Sequence, residues 1–335
     1  MHVTQPDRVQ QSSKGGLVHP RILPAMPRIG FLGPFGTFTE QALLSQPDLA
    51  EERLVPLGSI PEVLAATDAG EIDLGFVPIE NAIEGTVNVA IDALAFEHDL
   101  LVQREVQIAV HHNLLVRPGT SLADIKAVAS MPMASAQVRG WLAANLPGVE
   151  VRAANSTAEA ARLVAEEGEV GLAAVAPAVA GVIYGLESAA EEIEDHPENE
   201  TRFFLVARNG IPAPTGHDKT SIVCFQHADR PGSLLAILQE FSARAVNLTK
   251  LESRPTKQRM GEYCFIIDLE GHVADELVAD CLRVLKAKVA DVKFLGSYPA
   301  AGAHGETVRR EADAAWRAAD AWLGALRADL QGPRS

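Results

Sequence analysis

A chain of 335 residues with 47% hydrophobic content exceeds one ordinary domain and can fill a large core, so two or three domains are expected. A formal charge of −15 excludes nucleic acid and anionic membrane as general partners, because both need clustered Lys and Arg. The apolar residues fall in short runs, well under the roughly 20 that span a bilayer, so no membrane span is expected.

Residues 1–27 are polar and lack the apolar middle region of a secretory signal, so they read as a disordered extension. Cys224, Cys264 and Cys281 show neither a CxxC pair nor metal-ligand spacing. That pattern fits a reducing compartment, and the expectation is a cytoplasmic protein with no metal site.

Arg28 to Gly33 reads as a buried strand, followed by the turn Gly33-Pro34-Phe35-Gly36 and a helix from about Phe38. Strand, glycine turn, hydroxyl and helix make either an anion-binding helix start or an ordinary N-cap at Thr37 or Thr39. Ser59 caps a helix over Ile60 to Ala69, and Ile72 to Val77 reads as the next strand, with Glu80 and Asn81 just past its end. This βαβ order predicts a mostly parallel sheet, whose ligands sit at the carboxyl ends of the strands.

Two apolar segments follow from Leu101 to Val116 and include His111 and His112. Neighbours on a strand face opposite ways, so these imidazoles are expected to be structural and not to clamp one metal. Further βα steps run through Ala127 to Ser130, a helix over Val138 to Ala144, a strand at Val149 to Ala153, a helix at Ala158 to Glu166 capped by Asn155, Ser156 and Thr157, and Val170 to Val175. Small polar residues thus recur at strand ends: Thr37, Glu80, Asn81, Ser130, Ser156 and Thr157. The stretch ENETRFFLV, Glu198 to Val206, opens with a polar group and runs into an apolar tail.

Residues 209–218 have the composition of a linker, which separates a first domain over 28–208 from a second over 219–299. The second reads as strand, helix, strand, strand, helix, strand, the βαββαβ order of a ferredoxin-like domain. Residues 300–335 read as a helical tail, in which Trp316, Leu323 and Leu326 make a thin apolar face.

Six stretches in register carry a resemblance: GPFGTFTEQA (Gly33 to Ala42), PIENAIEGTV (Pro78 to Val87), STAEAA (Ser156 to Ala161), NETRFFLV (Asn199 to Val206), DRPGSLLAIL (Asp229 to Leu238) and NLTKLESRP (Asn247 to Pro255). With them the chain resembles the prephenate dehydratase family with a C-terminal regulatory ACT domain. The resemblance implies an α/β fold, with a two-lobed, periplasmic-binding-protein-like catalytic domain ahead of the ACT domain. It implies decarboxylating dehydration of prephenate to phenylpyruvate on the route to phenylalanine, with no cofactor.

By the same resemblance Thr201 is the catalytic hydroxyl, with Glu80 and Asn81 beside it, and Arg202 anchors a substrate carboxylate next to Phe203. Thr37, Ser130, Gln137, Ser156 and Thr157 complete the substrate site. The family's Ser-His-Pro-Gln-Ala run is here Ser130-Met131-Pro132-Met133-Ala134, so no histidine or glutamine is required at those places, and a family serine is here Pro177. L-Phenylalanine is expected as allosteric effector at Asp229, Pro231, Gly232, Ser233, Leu234, Leu235, Asn247, Leu248, Glu252, Ser253, Arg254 and Pro255, with Ser233 replacing the more usual alanine. A homodimer or homotetramer is expected, since an exposed sheet edge favours pairing with another copy. Arogenate dehydratase and a non-catalytic amino-acid-sensing protein are the alternatives.

Overall fold

The computed structural model describes residues 26–166, 169–226, 231–257, 262–301 and 321–328. The N-terminal extension up to residue 25, Asp229 and Trp316 lie outside them, and 321–328 is an exposed helical stretch. Among the described residues no helix is long and apolar enough to cross a membrane.

β1 (Arg28–Leu32) leads through α1 (Phe38–Leu44) and α2 (Pro47–Ala50) to β2 (Arg53–Leu57), then through α3 (Ile60–Ala69) to β3 (Leu74–Asn81). β1 pairs in parallel with both β2 and β3, as the βαβ reading expects. The ends of α3 follow from its sequence: the Ser59 hydroxyl accepts the Glu62 amide at 3.3 Å, and Gly70, at φ 76°, closes the last turn. β4 (Gly85–Thr86) folds back on the end of β3, and α4 (Asn88–Asp92) precedes β5 (Leu101–Ala109).

Val110, His111 and His112 carry the chain to a second sheet. There β6 (Asn113–Val116), β7 (Ala127–Ser130), α5 (Pro132–Gln137), α6 (Arg139–Asn145), β8 (Glu150–Ala153), α7 (Thr157–Glu166), β9 (Leu172–Ala176), α8 (Ala178–Tyr184) and β10 (Glu187–Ala190) form the strand order β10-β6-β9-β7-β8. Residues 191–199 lead back to β11 (Glu200–Ala207), which enters the first sheet antiparallel between β3 and β5. Two crossings between two sheets make two lobes. Parallel pairing holds for β1, β2 and β3 and for β7, β8 and β9, whereas strands beside the crossings are antiparallel because the chain leaves and returns in opposite directions.

β12 (Asp218–Gln226), α9 (Ser233–Ser242), β13 (Leu248–Pro255), β14 (Tyr263–Glu270), α10 (Glu276–Val284) and β15 (Ala290–Pro299) form the expected βαββαβ unit, in strand order β13-β14-β12-β15. β14 shows how both faces of this sheet are covered. Phe265 and Ile267 pack under α9 and α10 with Ile237, Phe241 and Cys281, while Cys264 and Ile266 face the other way. On that side they join Val223, Leu295 and Tyr298 in one cluster with Val102, Phe204 and Val206 of the first lobe. Each such fully buried apolar side chain contributes about 1.5–3 kcal/mol, so the two domains are held by a shared core and not by their linker alone. β15 reaches β5 at Gly296, φ 145°, where an added Cβ would lie 2.7 Å from the Val102 carbonyl oxygen.

Candidate active site

β11 builds the site by its register, with Thr201 opposite Asn81 and Arg202 opposite Glu80. Glu80 and Asn81 are therefore the last residues of β3 and not loop residues beyond it, because the β4 hairpin and β11 both continue its ladder. Asn81 is oriented by backbone, since its Oδ1 accepts the amides of Ile83 and Glu84, both at 3.0 Å. Its Nδ2 must then donate, and it does so to Thr201 Oγ1 at 2.9 Å and to Asn199 Oδ1 at 2.8 Å. Asn199, fully buried, donates in turn from Nδ2 to Gln137 Oε1 at 3.1 Å. Gln137 sits on α5 of the second lobe, and its Nε2 donates to Glu84 Oε1 at 3.2 Å. His112, 2% exposed at the crossing between lobes, places Nε2 2.9 Å from the same Gln137 oxygen. Burial pushes the His112 imidazole below its ordinary value, so it is neutral near neutral pH.

Alternation along β11 sends Arg202 to the other face of the sheet. There the guanidinium is clamped by Glu105, by Asp268 at 2.7 Å and by Glu80 at 3.4 Å, with the Phe204 ring 4.8 Å away. Tyr298 accepts a hydrogen bond from it at 3.2 Å, and Lys219 pairs with Glu105 at 2.9 Å. Burial works against this charge, but Asp268, Tyr298 and Glu105 outweigh it and hold Arg202 protonated. The expected pair is thus divided: Thr201 faces Asn81, while Arg202 is engaged by carboxylates between the two domains. Glu80 goes with Arg202, and it also pairs with Lys250 of β13 at 3.1 Å. Phe203, expected at the site wall, lies in the buried core of the first lobe, stacked on Phe76 at 5.2 Å and 1% exposed.

The remaining hydroxyls are mostly committed within their own elements. Thr37 is the N-cap of α1 and accepts the Glu40 amide, while the Glu40 carboxylate takes the Gly36 amide at 2.5 Å. This cap occupies the Gly36 and Glu40 amides at the helix start. Burial pushes Glu40 above the ordinary carboxylate range. Ser156 caps α7 through the Glu159 amide at 3.0 Å, and Thr157, 3% exposed, is the first residue of that helix. Ser130 is fully buried and donates to the Val175 carbonyl at 2.7 Å inside the second sheet. Gln137 is the second-lobe candidate that the structure joins to Thr201 and Asn81. Sequence reasoning missed Asn199, although it lies in a quoted motif, and set His112 aside; neither carries a local signal that reports a partner in another lobe.

In the second domain a cavity of about 580 Å³ is lined by Gly232, Ser233, Leu234, Leu235 and Ser253, with Tyr263 and Phe265 among the others. Period-two alternation splits the ESRP segment. Ser253 faces the cavity, whereas Glu252 accepts a hydrogen bond from Thr86 at 2.6 Å and Arg254 pairs with Asp92 at 2.8 Å, both on the catalytic domain. Glu252 and Arg254 are therefore interdomain residues and not cavity residues. Pro231, Asn247, Leu248 and Pro255 also fall outside the lining: Leu248 packs toward the α9–α10 core, the Asn247 carbonyl accepts the Glu270 amide, and Pro255 pairs with Tyr263 across β13 and β14.

A family model described as prephenate dehydratase matches residues 29–211, and one described as ACT domain matches residues 220–287. A prephenate dehydratase of Mycobacterium leprae is 45% identical over 311 residues, spanning 90% of this chain and 94% of that one. The crystal structure of prephenate dehydratase in complex with L-Phe from Arthrobacter aurescens has a TM-score of 0.77 and 39% identity, covering 91% of this chain and 100% of that chain. A structure described as GqqA, a novel type of quorum quenching acylase, has a TM-score of 0.72 and 29% identity over 82% of this chain and 98% of that one.

Proposed function

The chain belongs to the prephenate dehydratase family, and we propose that it catalyses its reaction through a Thr201 hydroxyl whose acceptor side is occupied by Asn81. The bond from Asn81 Nδ2 to Thr201 Oγ1 carries this reading. With Asn81 donating to its oxygen, the threonine keeps its own proton free to donate elsewhere.

In the reaction the C–C bond to the ring carboxylate breaks, its electron pair moves through the ring, and the C–O bond at the opposite carbon breaks. Carbon dioxide and water leave, one proton is consumed, and the ring becomes aromatic. Aromatisation supplies the driving force, so the protein's task is to orient the ring and stabilise the departing oxygen. Thr201 donates to that oxygen as negative charge develops, and the proton that completes water passes through this hydroxyl and is replaced from solvent.

L-Phenylalanine is assigned as effector at the cavity beside Gly232 and Ser253, supported by the ACT match and by the solved relative described in complex with L-Phe. Its effect is assigned to a shift in how the ACT sheet sits on Glu80, Thr86 and Asp92. A second copy is assigned to the exposed β13 side, where Leu235, Leu251 and Tyr263 are open, giving a homodimer as the minimal unit. The cytoplasm is the assigned compartment, in keeping with three free thiols.

The purified chain given prephenate is expected to release phenylpyruvate, and Thr201→Ala is expected to lower kcat at least about 100-fold with a small change in KM. Unchanged kcat in that variant removes Thr201 from the chemistry, and faster turnover of arogenate overturns the substrate assignment.

A further inference from the structure

The side chains behind Thr201 form a directional chain whose polarity is set at one end by backbone. Amides of Ile83 and Glu84 can only donate, so Asn81 Oδ1 is the acceptor and Asn81 Nδ2 the donor. Asn199 Oδ1 must therefore accept from Asn81, which leaves Asn199 Nδ2 to donate to Gln137 Oε1. Gln137 Oε1 is then an acceptor, so His112 must carry its proton on Nε2 to make the 2.9 Å contact. Gln137 Nε2, the donor end, meets Glu84, whose amide began the series. Asn199 is fully buried, and His112 and Gln137 are 2% and 8% exposed, so water does not readily substitute for a missing member.

The chain also ties together parts that are distant in sequence. Asn81 lies on the first lobe, Asn199 at the return crossing, Gln137 on the second lobe and His112 at the outward crossing. No member has a second way to satisfy the series, since reversing either amide sets two donors or two acceptors against each other.

We propose that Asn199 and His112 are positioning residues of the dehydration, which act through Gln137 and Asn81 to keep the Thr201 hydroxyl aimed as a donor. The proposal rests on the reading of Thr201 as the catalytic hydroxyl. Neither residue touches the reacting atoms. Asn199 Nδ2 and His112 Nε2 together lock Gln137 Oε1 as an acceptor, and Asn199 Oδ1 locks Asn81. Asn81 keeps its orientation from the Ile83, Glu84 and Glu200 backbone. Loss of either lock therefore does not turn it but loosens the Asn199–Gln137 tie between the lobes, which shifts Asn81 Nδ2 against the Thr201 hydroxyl and takes that donor out of line with the leaving oxygen.

The test uses the full chain and prephenate, with kcat and KM measured separately and with folding checked by thermal denaturation. Asn199→Asp keeps the shape and the acceptor for Asn81 but, when ionised, cannot donate to Gln137. It is expected to lower kcat roughly 100-fold, with KM within about threefold of the parent. His112→Phe loses the donor and is expected to lower kcat about tenfold, whereas His112→Gln places an amide donor near the Nε2 position and restores most of it. The double variant Thr201→Ala with Asn199→Asp is expected to be no slower than Thr201→Ala alone, because the effect of Asn199 passes through the hydroxyl. A parent-like kcat in Asn199→Asp, a further full loss in the double variant, or equal loss in both His112 variants overturns the proposal. A parent-like kcat in Thr201→Ala overturns instead the reading on which it rests.

Discussion

Thr201 and Arg202 are neighbours in the chain and belong to different interfaces in the fold. Adjacent residues of a strand point to opposite faces, so a motif that spans both reports two sites. Arg202 has its carboxylate partners inside the protein, on Glu105 and Asp268, whose side chains are 0% and 3% exposed. Its removal leaves buried Asp268 without its counter-charge and Glu105 with Lys219 alone, a loss that typically costs about 3–5 kcal/mol. Arg202→Met is therefore expected to lower the stability seen in urea unfolding by that amount, with any rise in KM following the loss of folded protein. A large rise in KM at unchanged stability returns Arg202 to the substrate site. The motif was legible in the sequence, since Thr201, Asn81 and Gln137 are brought together as expected. The face was not, because the choice depends on what packs against β11, and Asp268 lies 66 positions further along.

β13 repeats the lesson at the scale of an element. Its burial alternates residue by residue, with Lys250, Glu252 and Arg254 turned to the catalytic domain and Leu251 and Ser253 turned away. One strand therefore presents an effector-facing edge and a catalytic-facing edge, and substitutions on the two should separate binding from response. Ser253→Ala is expected to weaken L-phenylalanine binding in calorimetry several-fold. Glu252→Gln is expected to leave that affinity within about twofold while diminishing the change in kcat/KM that the amino acid produces. Equal effects of both on affinity would remove this division. The ferredoxin-like order of this domain was readable from periodicity alone, because its apolar strand and helix runs are separated by turns. Which alternate residues met the other domain was not, since Lys250, Glu252 and Arg254 look like an ordinary solvated face until their partners Glu80, Thr86 and Asp92 are placed.

Across the whole molecule the two domains share one core, since Phe204, Val206, Ile266 and Tyr298 belong to one buried cluster, and they are expected to unfold together. Gly296→Ala tests the seam. The new methyl group would meet the Val102 carbonyl at 2.7 Å, where backbone and not a flexible side chain must yield, and the φ of 145° adds strain. A loss of about 1–3 kcal/mol in overall stability is expected, read as a lower thermal midpoint. His112 sets a second global property. Its folded-state pKa lies below the unfolded value, so the unfolded chain takes up a proton that the folded one refuses. That contribution is fully present above about pH 6.5 and is lost as pH falls toward the depressed value, so stability declines on acidification. His112→Gln is expected to flatten the slope of stability against pH between about pH 7 and pH 5; an unchanged slope assigns the acid sensitivity to other groups.

The late arrival of β11 bears on how the enzyme comes into being. Thr201 and Asn81 touch across 120 positions, and the whole second lobe is synthesised between them. A chain emerging from the ribosome can pair β1, β2 and β3 early, but the gap between β3 and β5 stays open until residues 200–207 are free. Closing so long a loop is slow and entropically costly. The threonine is thus among the last parts of the catalytic domain to be set in place, and partly made chains carry no working centre. During that interval the facing edges of β3 and β5 have no partner strand between them, a geometry open to pairing with other chains.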